Sequence, residues 1–229
     1  MAPSDWGDSV VDVKKNRSVY QFKVTLRDIS PLVWRRFQVW EDATLAQFHH
    51  ILQMVMGWEN CHLFEFQIGS NTYAVPDVND ERTIVDVKKT RIRDVAQHVG
   101  TQIEYFYDLG DYWQHELLLE AVLQPAVDTT YPRCIAGGRH CPPEDVGGTS
   151  GYDNYLVAIA DPKHEDHEDM IEWVGPFDPE AFSVETINRQ LEKKFWPVRK
   201  KAVPATSHSA SLLQALLSGS AVPRKKRIR

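Results

Sequence analysis

The chain has 229 residues, 42% of them hydrophobic and 25% charged, with a formal net charge of −6. This is enough apolar material for a sizeable core, so wholesale disorder is excluded. No uncharged apolar run reaches the roughly 18 residues of a spanning helix; the start shows no secretory leader, and three cysteines make no full disulfide framework, so a reduced, cytoplasmic protein without a membrane partner is expected.

Residues 1–16 are expected to be a flexible lead-in to a domain over 17–196. Residues 17–30 alternate, with Tyr20, Phe22, Val24 and Leu26 on one face, the pattern of a half-buried strand. Ser30-Pro31 breaks it, and Val33 to Trp40 reads as a second strand with Phe37 and Val39 inward and Trp34, Arg36 and Trp40 on the other face. Thr44 to Met56 predicts a helix: Thr44 and Gln47 have capping-box spacing, Leu45, Phe48, Leu52, Val55 and Met56 form a stripe, and Gly57 stops it. His50 points away from the stripe and His49 sits at its border, so both are expected at the surface or boundary. Leu63–Ile68 and Thr72–Val75 predict a hairpin, and 77–91 reads as a polar loop. A short helix is expected near Arg91 to His98. Ile103–Asp108 and Tyr112–Val122 predict a second hairpin around Leu109-Gly-Asp111. Residues 129–151, rich in Gly, Pro and Cys, read as an irregular ordered loop. Asn154–Ala160, His164–Trp173 and Val184–Phe195 predict helices, the last capped by Ser183. Strands early and helices late give α+β, a mainly antiparallel sheet with one early amphipathic helix and a helical C-terminal part.

Charge is unevenly placed along this order. Residues 197–229 hold eight of the 26 basic residues and no acid, which leaves 18 basic against 32 acidic residues, a net −14, in 1–196. An acidic body repels phosphate backbones. The basic tail reads as a solvated, mostly disordered end, or as a contact for nucleic acid or an acidic partner. Within it, Ser211 to Ser218 has capping-box spacing and four leucines for a short helix.

Four constellations could carry chemistry. In Tyr107 to His115, Asp108 and Asp111 flank the turn, and Trp113 and His115 project from the apolar face of the next strand. His115 is then either a general base or metal ligand with those acids, or a core histidine whose ring nitrogens are satisfied by backbone or Asp. Cys134, His140 and Cys141 could hold zinc, with a fourth ligand such as His115 or Cys61, although the six-residue gap is not knuckle spacing; the bland reading is free thiols in a structural loop. Cys141 to Tyr152 displays Glu144 and Asp145 on a platform stiffened by two prolines and shaped by Gly147, Gly148 and Gly151. His164 to Asp169 reads as a solvated helix start.

These motifs together resemble a known family. Ile29-Ser-Pro-Leu-Val-Trp-Arg-Arg36, Thr44-Leu45 with Met56-Gly-Trp58 and His62-Leu63, then Tyr107 to His115, Tyr131-Pro-Arg-Cys134, Cys141 to Gly148 with Gly151-Tyr152, and Phe177 to Phe182 are similar to the plasmid pRiA4b ORF-3-like proteins. The likeness covers roughly 17–196. Leu109 stands where Phe is commoner and Val146 where some members have Cys, which weakens a zinc site built on three loop thiols. The resemblance implies an α+β domain of plasmid- and transposon-associated proteins and no established activity.

Three functions compete. The first is a non-catalytic binding or adaptor domain for a protein partner, displaying Trp34, Arg35, Arg36, Trp113, Glu144, Asp145, Gly147, Gly148 and Tyr152. The second is a metal-dependent hydrolase using Asp108, Asp111 and His115 with Cys134, Cys141, Glu144 and Asp145. The third is a mobile-element accessory that touches DNA through 197–229.

Overall fold

The computed structural model describes residues 17–195. The expectations for 1–16 and for the basic tail lie outside the described residues. Eight strands form one sheet: β1 (Val19–Leu26), β2 (Trp34–Trp40), β3 (Phe64–Ile68), β4 (Asn71–Ala74), β5 (Ile84–Asp86), β6 (Gln102–Tyr107), β7 (Trp113–Leu123) and β8 (Arg133–Gly138). Their order is β5-β4-β3-β6-β7-β1-β2-β8, and every pairing is antiparallel except β4 with β5. Five helices join them: α1 (Leu45–Met56), α2 (Ile92–Val95), α3 (Gly148–Ala160), α4 (His167–Val174) and α5 (Val184–Phe195). The fold is therefore α+β with a mainly antiparallel sheet, as the order of patterns predicts.

The early elements follow their sequence signals closely. β1 and β2 alternate buried and half-buried side chains. In α1 the Gln47 N–H donates to the Thr44 hydroxyl at 3.2 Å, and the Thr44 N–H donates to the Gln47 side-chain carbonyl at 2.9 Å. Gly57 ends the helix with φ of 104°, a value that favours a residue without Cβ. The core lies between α1 and the sheet. Phe48 of α1 stands 5.0 Å from Phe22 and 6.0 Å from Phe66, ring centre to ring centre, in the range where aromatic pairs add attraction beyond burial.

Two segments depart from the sequence reading. The stretch 129–151 is not wholly irregular: Arg133–Gly138 is β8, and α3 already begins at Gly148. The glycines that suggest a loop serve close packing instead. A Cβ on Gly137 would lie 2.4 Å from the Phe182 ring, and one on Gly138 would lie 3.0 Å from the Trp34 indole nitrogen. β8 is an edge strand, and α5 covers part of it. The Asn188 amide accepts from the Cys134 N–H at 2.7 Å and donates to the Cys134 carbonyl at 2.9 Å, which fills a backbone pair that an edge would leave open. The second departure is β5, three residues inside the polar 77–91 segment. At α5 the Ser183 hydroxyl accepts from the Thr186 N–H at 3.2 Å, so the expected cap forms.

Arg35 is the main surprise of β2. It is 2% exposed, not displayed. Its guanidinium donates to the Val55 carbonyl at 2.8 Å, to the Trp34 and Gly138 carbonyls at 2.8 Å each, and towards the Met56 carbonyl at 3.5 Å. Val55 and Met56 end α1, where carbonyls lack helical partners and carry the negative end of the helix dipole. The Phe182 ring lies 4.7 Å from the guanidinium carbon. Burial still pulls the Arg35 pKa below its ordinary value. Arg36, one residue on, faces outward and grips Glu120 through two bonds of 2.6 and 2.8 Å.

Arg35→Met should therefore destabilise the fold by about 3 kcal/mol or more, because it strands several carbonyls at once. Arg36→Met should cost about 1 kcal/mol or less, since that pair is part-exposed. Urea midpoints of the two variants, measured side by side, check this ordering.

Candidate functional site

Three loops meet beyond the C-terminus of α1. The first is 57–63, which runs from Gly57 into β3. Its shape is set by a polar network around His49. The Gln53 amide donates to the Tyr105 hydroxyl at 2.9 Å, and that hydroxyl lies 2.8 Å from His49 Nδ1. His49 Nε2 contacts the Asn60 side-chain oxygen, and the Asn60 N–H donates to the Gln53 side-chain carbonyl at 3.1 Å. The Asn60 oxygen only accepts, so His49 carries its proton on Nε2 and accepts from Tyr105 at Nδ1. His49 is thus 2% exposed, not a surface or boundary residue. A border histidine goes inside when its neighbours satisfy both nitrogens. The network holds Asn60 at φ of 61° and aims Cys61 and His62 outward from the core.

The second loop is the β6–β7 turn. Asp108, 7% exposed, accepts the Gly110 N–H at 3.0 Å and the Asp111 N–H at 3.3 Å through Oδ1. The third is 141–148. Trp58 donates to the Pro142 carbonyl at 3.0 Å, and the Asp111 carboxylate accepts the Gly147 N–H at 2.9 Å. A Cβ on Gly148 would stand 2.6 Å from the Asp111 carbonyl oxygen, so this turn needs glycine there. Glu144 Oε1 accepts from the Glu59 N–H at 2.8 Å and from the Tyr107 hydroxyl at 3.1 Å.

The free ends of these groups converge on His62. Its Nε2 lies 3.0 Å from Asp145 Oδ1, 3.5 Å from Asp108 Oδ2 and 3.8 Å from Glu144 Oε2. Cys61, His62 and Glu144 bring their ligand-type atoms within 4.8 Å of one another, as do His62, Asp108 and Asp145. His62 Nε2 and Glu144 Oε2 are sealed from solvent without a hydrogen bond. Burial pushes the Tyr107 hydroxyl's pKa upward, so it stays protonated as a donor to Glu144.

The residues expected to form a site divide sharply. Asp108, Glu144 and Asp145 come together. Asp111 supports the loop through Gly147. His115 is fully buried, with Nδ1 3.2 Å from the Tyr105 carbonyl and 3.1 Å from the Trp113 carbonyl and its ring edge-on to Trp58. It is a core histidine, and burial pulls its pKa down to about 4. Cys134 and Cys141 are buried within electrostatic range of Arg35, and burial pushes both thiols up. His140 is exposed, stacked edge-on to Phe177. None of His115, Cys134, His140 and Cys141 belongs to a convergent metal-type group among the described residues. Of the display face, Arg35, Trp113, Tyr152 and Gly148 are buried, while Trp34 lies on the sheet's outer surface with Arg36 and Lys23 over its ring. His62 is the residue that sequence reasoning missed. The signal was its place between a glycine-stopped helix and a strand, next to Cys61.

A cleft of about 800 Å³ opens on the other side of His62. Leu63, Phe64, Val75, Asp77, Asp80 and Leu109 are among its walls. Arg82 bridges Asp80 and Glu65 at 3.0 Å each along it.

Burial holds both His49 and His115 neutral, with pKa values near about 4 against an ordinary 6.5. The unfolded chain takes up protons below about pH 6.5, and the folded chain only near the lower value, so stability falls with pH through that window. Each histidine should cost about 2 kcal/mol between pH 7 and pH 5. Urea midpoints across that range check it, and His115→Asn should flatten part of the slope.

Comparison with known proteins agrees with this architecture. The sequence model of plasmid pRiA4b ORF-3-like proteins matches residues 18–186. The uncharacterized protein y4hQ of Sinorhizobium fredii is 36% identical over 178 residues, covering 76% of this chain and 91% of that protein. The crystal structure of MM3350, a protein of unknown function from Methanosarcina mazei, superposes with a TM-score of 0.68 at 35% identity, over 74% of this chain and 97% of that one. No helix among the described residues is long and apolar enough to cross a membrane. The family model spans the sheet, α1 and all three site loops, and the chain belongs to the plasmid pRiA4b ORF-3-like family.

Proposed function

We propose that the chain is a non-catalytic binding domain that takes an extended segment of a partner protein in the cleft beside β3 and β4. The observation that carries this reading is the cleft's apolar rim. Leu63 is 72% exposed, Val75 51% and Leu109 41%, and all three line one concave surface. Apolar side chains gathered at a concave site with a few charged groups suit ligand capture better than solvation. The occupant is a segment with apolar side chains flanked by Lys or Arg. Asp77 offers a carboxylate along the wall, and the net −14 of residues 1–196 draws basic partners. The hydrolase reading loses its base and its thiols, because His115, Cys134 and Cys141 are buried in the core.

Panning a peptide phage library on the full-length chain tests this. Selected peptides should combine apolar residues with Lys or Arg, and their binding should weaken with salt. Leu63→Asp with Leu109→Asp should reduce affinity about tenfold or more, with little change in melting temperature because both side chains are exposed. A selection without binders, or binders indifferent to both substitutions, would overturn the reading.

A further inference from the structure

We propose that Cys61, His62 and Glu144, with Asp108 and Asp145 on the other side of His62, form a site for one divalent transition-metal ion of the zinc class. This goes beyond the cleft reading and does not depend on it.

The spacing fits such an ion. A tetrahedral ion with ligand bonds of about 2.0–2.2 Å keeps its ligand atoms about 3.3–3.6 Å apart. His62 Nε2 and Glu144 Oε2 stand 3.8 Å apart, close to that value, while Asp108 and Asp145 form a second group that shares only His62. Cys61 Sγ lies within 4.8 Å of both the His62 and Glu144 ligand atoms. Nitrogen, oxygen and sulfur donors together favour a borderline ion over magnesium or calcium.

A second observation is independent of spacing. His62 Nε2 and Glu144 Oε2 are both out of solvent and make no hydrogen bond. Asp145 Oδ1 comes to 3.0 Å from Nε2 without forming a hydrogen bond to it. Native structures seldom leave buried polar atoms in this state, and an ion is one of the few things that satisfies several at once. Other partners have already taken the opposite ends of the same groups. Asp108 Oδ1 holds the Gly110 and Asp111 amides. Glu144 Oε1 holds the Glu59 amide and the Tyr107 hydroxyl. These are the outer contacts that fix metal ligands in place before the metal arrives. No lysine or arginine ion-pairs with Asp108, Glu144 or Asp145 among the described residues, so a divalent cation would supply the missing positive charge.

The test is calorimetric titration of the chelator-stripped, reduced full-length chain with zinc chloride. One equivalent should bind with a dissociation constant in the micromolar range or tighter. His62→Gln and Glu144→Gln should each weaken binding about 100-fold, and Glu116→Gln, an acid paired with Arg27 elsewhere on the sheet, should change nothing. Circular dichroism checks that the variants fold. Cobalt substitution of the unmodified chain gives a second readout: visible bands of a low-coordinate ion, with a sulfur charge-transfer band that Cys61→Ala removes. Absence of binding at millimolar zinc overturns the proposal, because the groups are then only a polar cluster of loop side chains around His62. Stoichiometric binding that survives both His62→Gln and Glu144→Gln also overturns it, since the ion then sits on other thiols.

Discussion

A buried guanidinium with no carboxylate paired to it among the described residues is the constraint on which the rest of the fold turns. Arg35 hydrogen-bonds only carbonyl oxygens, drawn from β2, the end of α1 and β8. An uncompensated charge in a protein interior is costly, so those carbonyls must stay where they are. That requirement fixes how α1 ends against the sheet and how the edge strand sits beside β2. The chain leaves α1 through Gly57 straight into the loop that carries Cys61 and His62. It leaves β8 through Arg139 and Cys141 into the loop that carries Glu144 and Asp145. Both site loops therefore start from the two ends of one clamp.

From that clamp outward, the site is built by occupying one end of each polar group and leaving the other free. Trp58 ties the first loop to Pro142, Glu59 ties it to Glu144, and Asp111 ties the β6–β7 turn to Gly147. Each of these bonds has a backbone group at one end, which does not rearrange without moving a whole turn. Asp108 and Glu144 consequently have little freedom. Asp145 is different: its side chain is 68% exposed and its backbone sits at φ of 57°. It is the adjustable arm of an otherwise rigid set, and a ligand entering beside it displaces water rather than protein.

Much of this was legible because strands alternate and helices announce their ends. The period of two that sends Phe37 and Val39 inward sends Arg35 inward as well, so its burial was written in the sequence, although a charged side chain reads as surface. The capping box and Gly57 fixed α1 to the residue. β8 was not legible, because Gly137 and Gly138 signal a turn in sequence while serving the Phe182 and Trp34 rings in space. His49 was hidden for a related reason: its burial depends on Tyr105 and Asn60, which are 56 and 11 residues away. The candidate site was half legible. Asp108, Glu144 and Asp145 stood out by motif, but the histidine that joins them lies in a different loop, and the strand histidine His115 drew attention precisely where alternation places it in the core.

The two histidines show how position decides chemistry for one residue type. His115 and His62 each keep one ring nitrogen without a hydrogen bond. Around His115 the neighbours are Trp58, Tyr105 and backbone carbonyls, so the free nitrogen faces an apolar wall and protonation is suppressed. Around His62 they are three carboxylates, which stabilise any positive charge placed among them. An aromatic wall has nothing to offer a cation beyond its ring faces, whereas carboxylate oxygens are ordinary cation ligands. The loop junction beyond α1 is therefore where this domain gathers ligand-type side chains, and the strand histidine serves the packing that keeps the junction in shape.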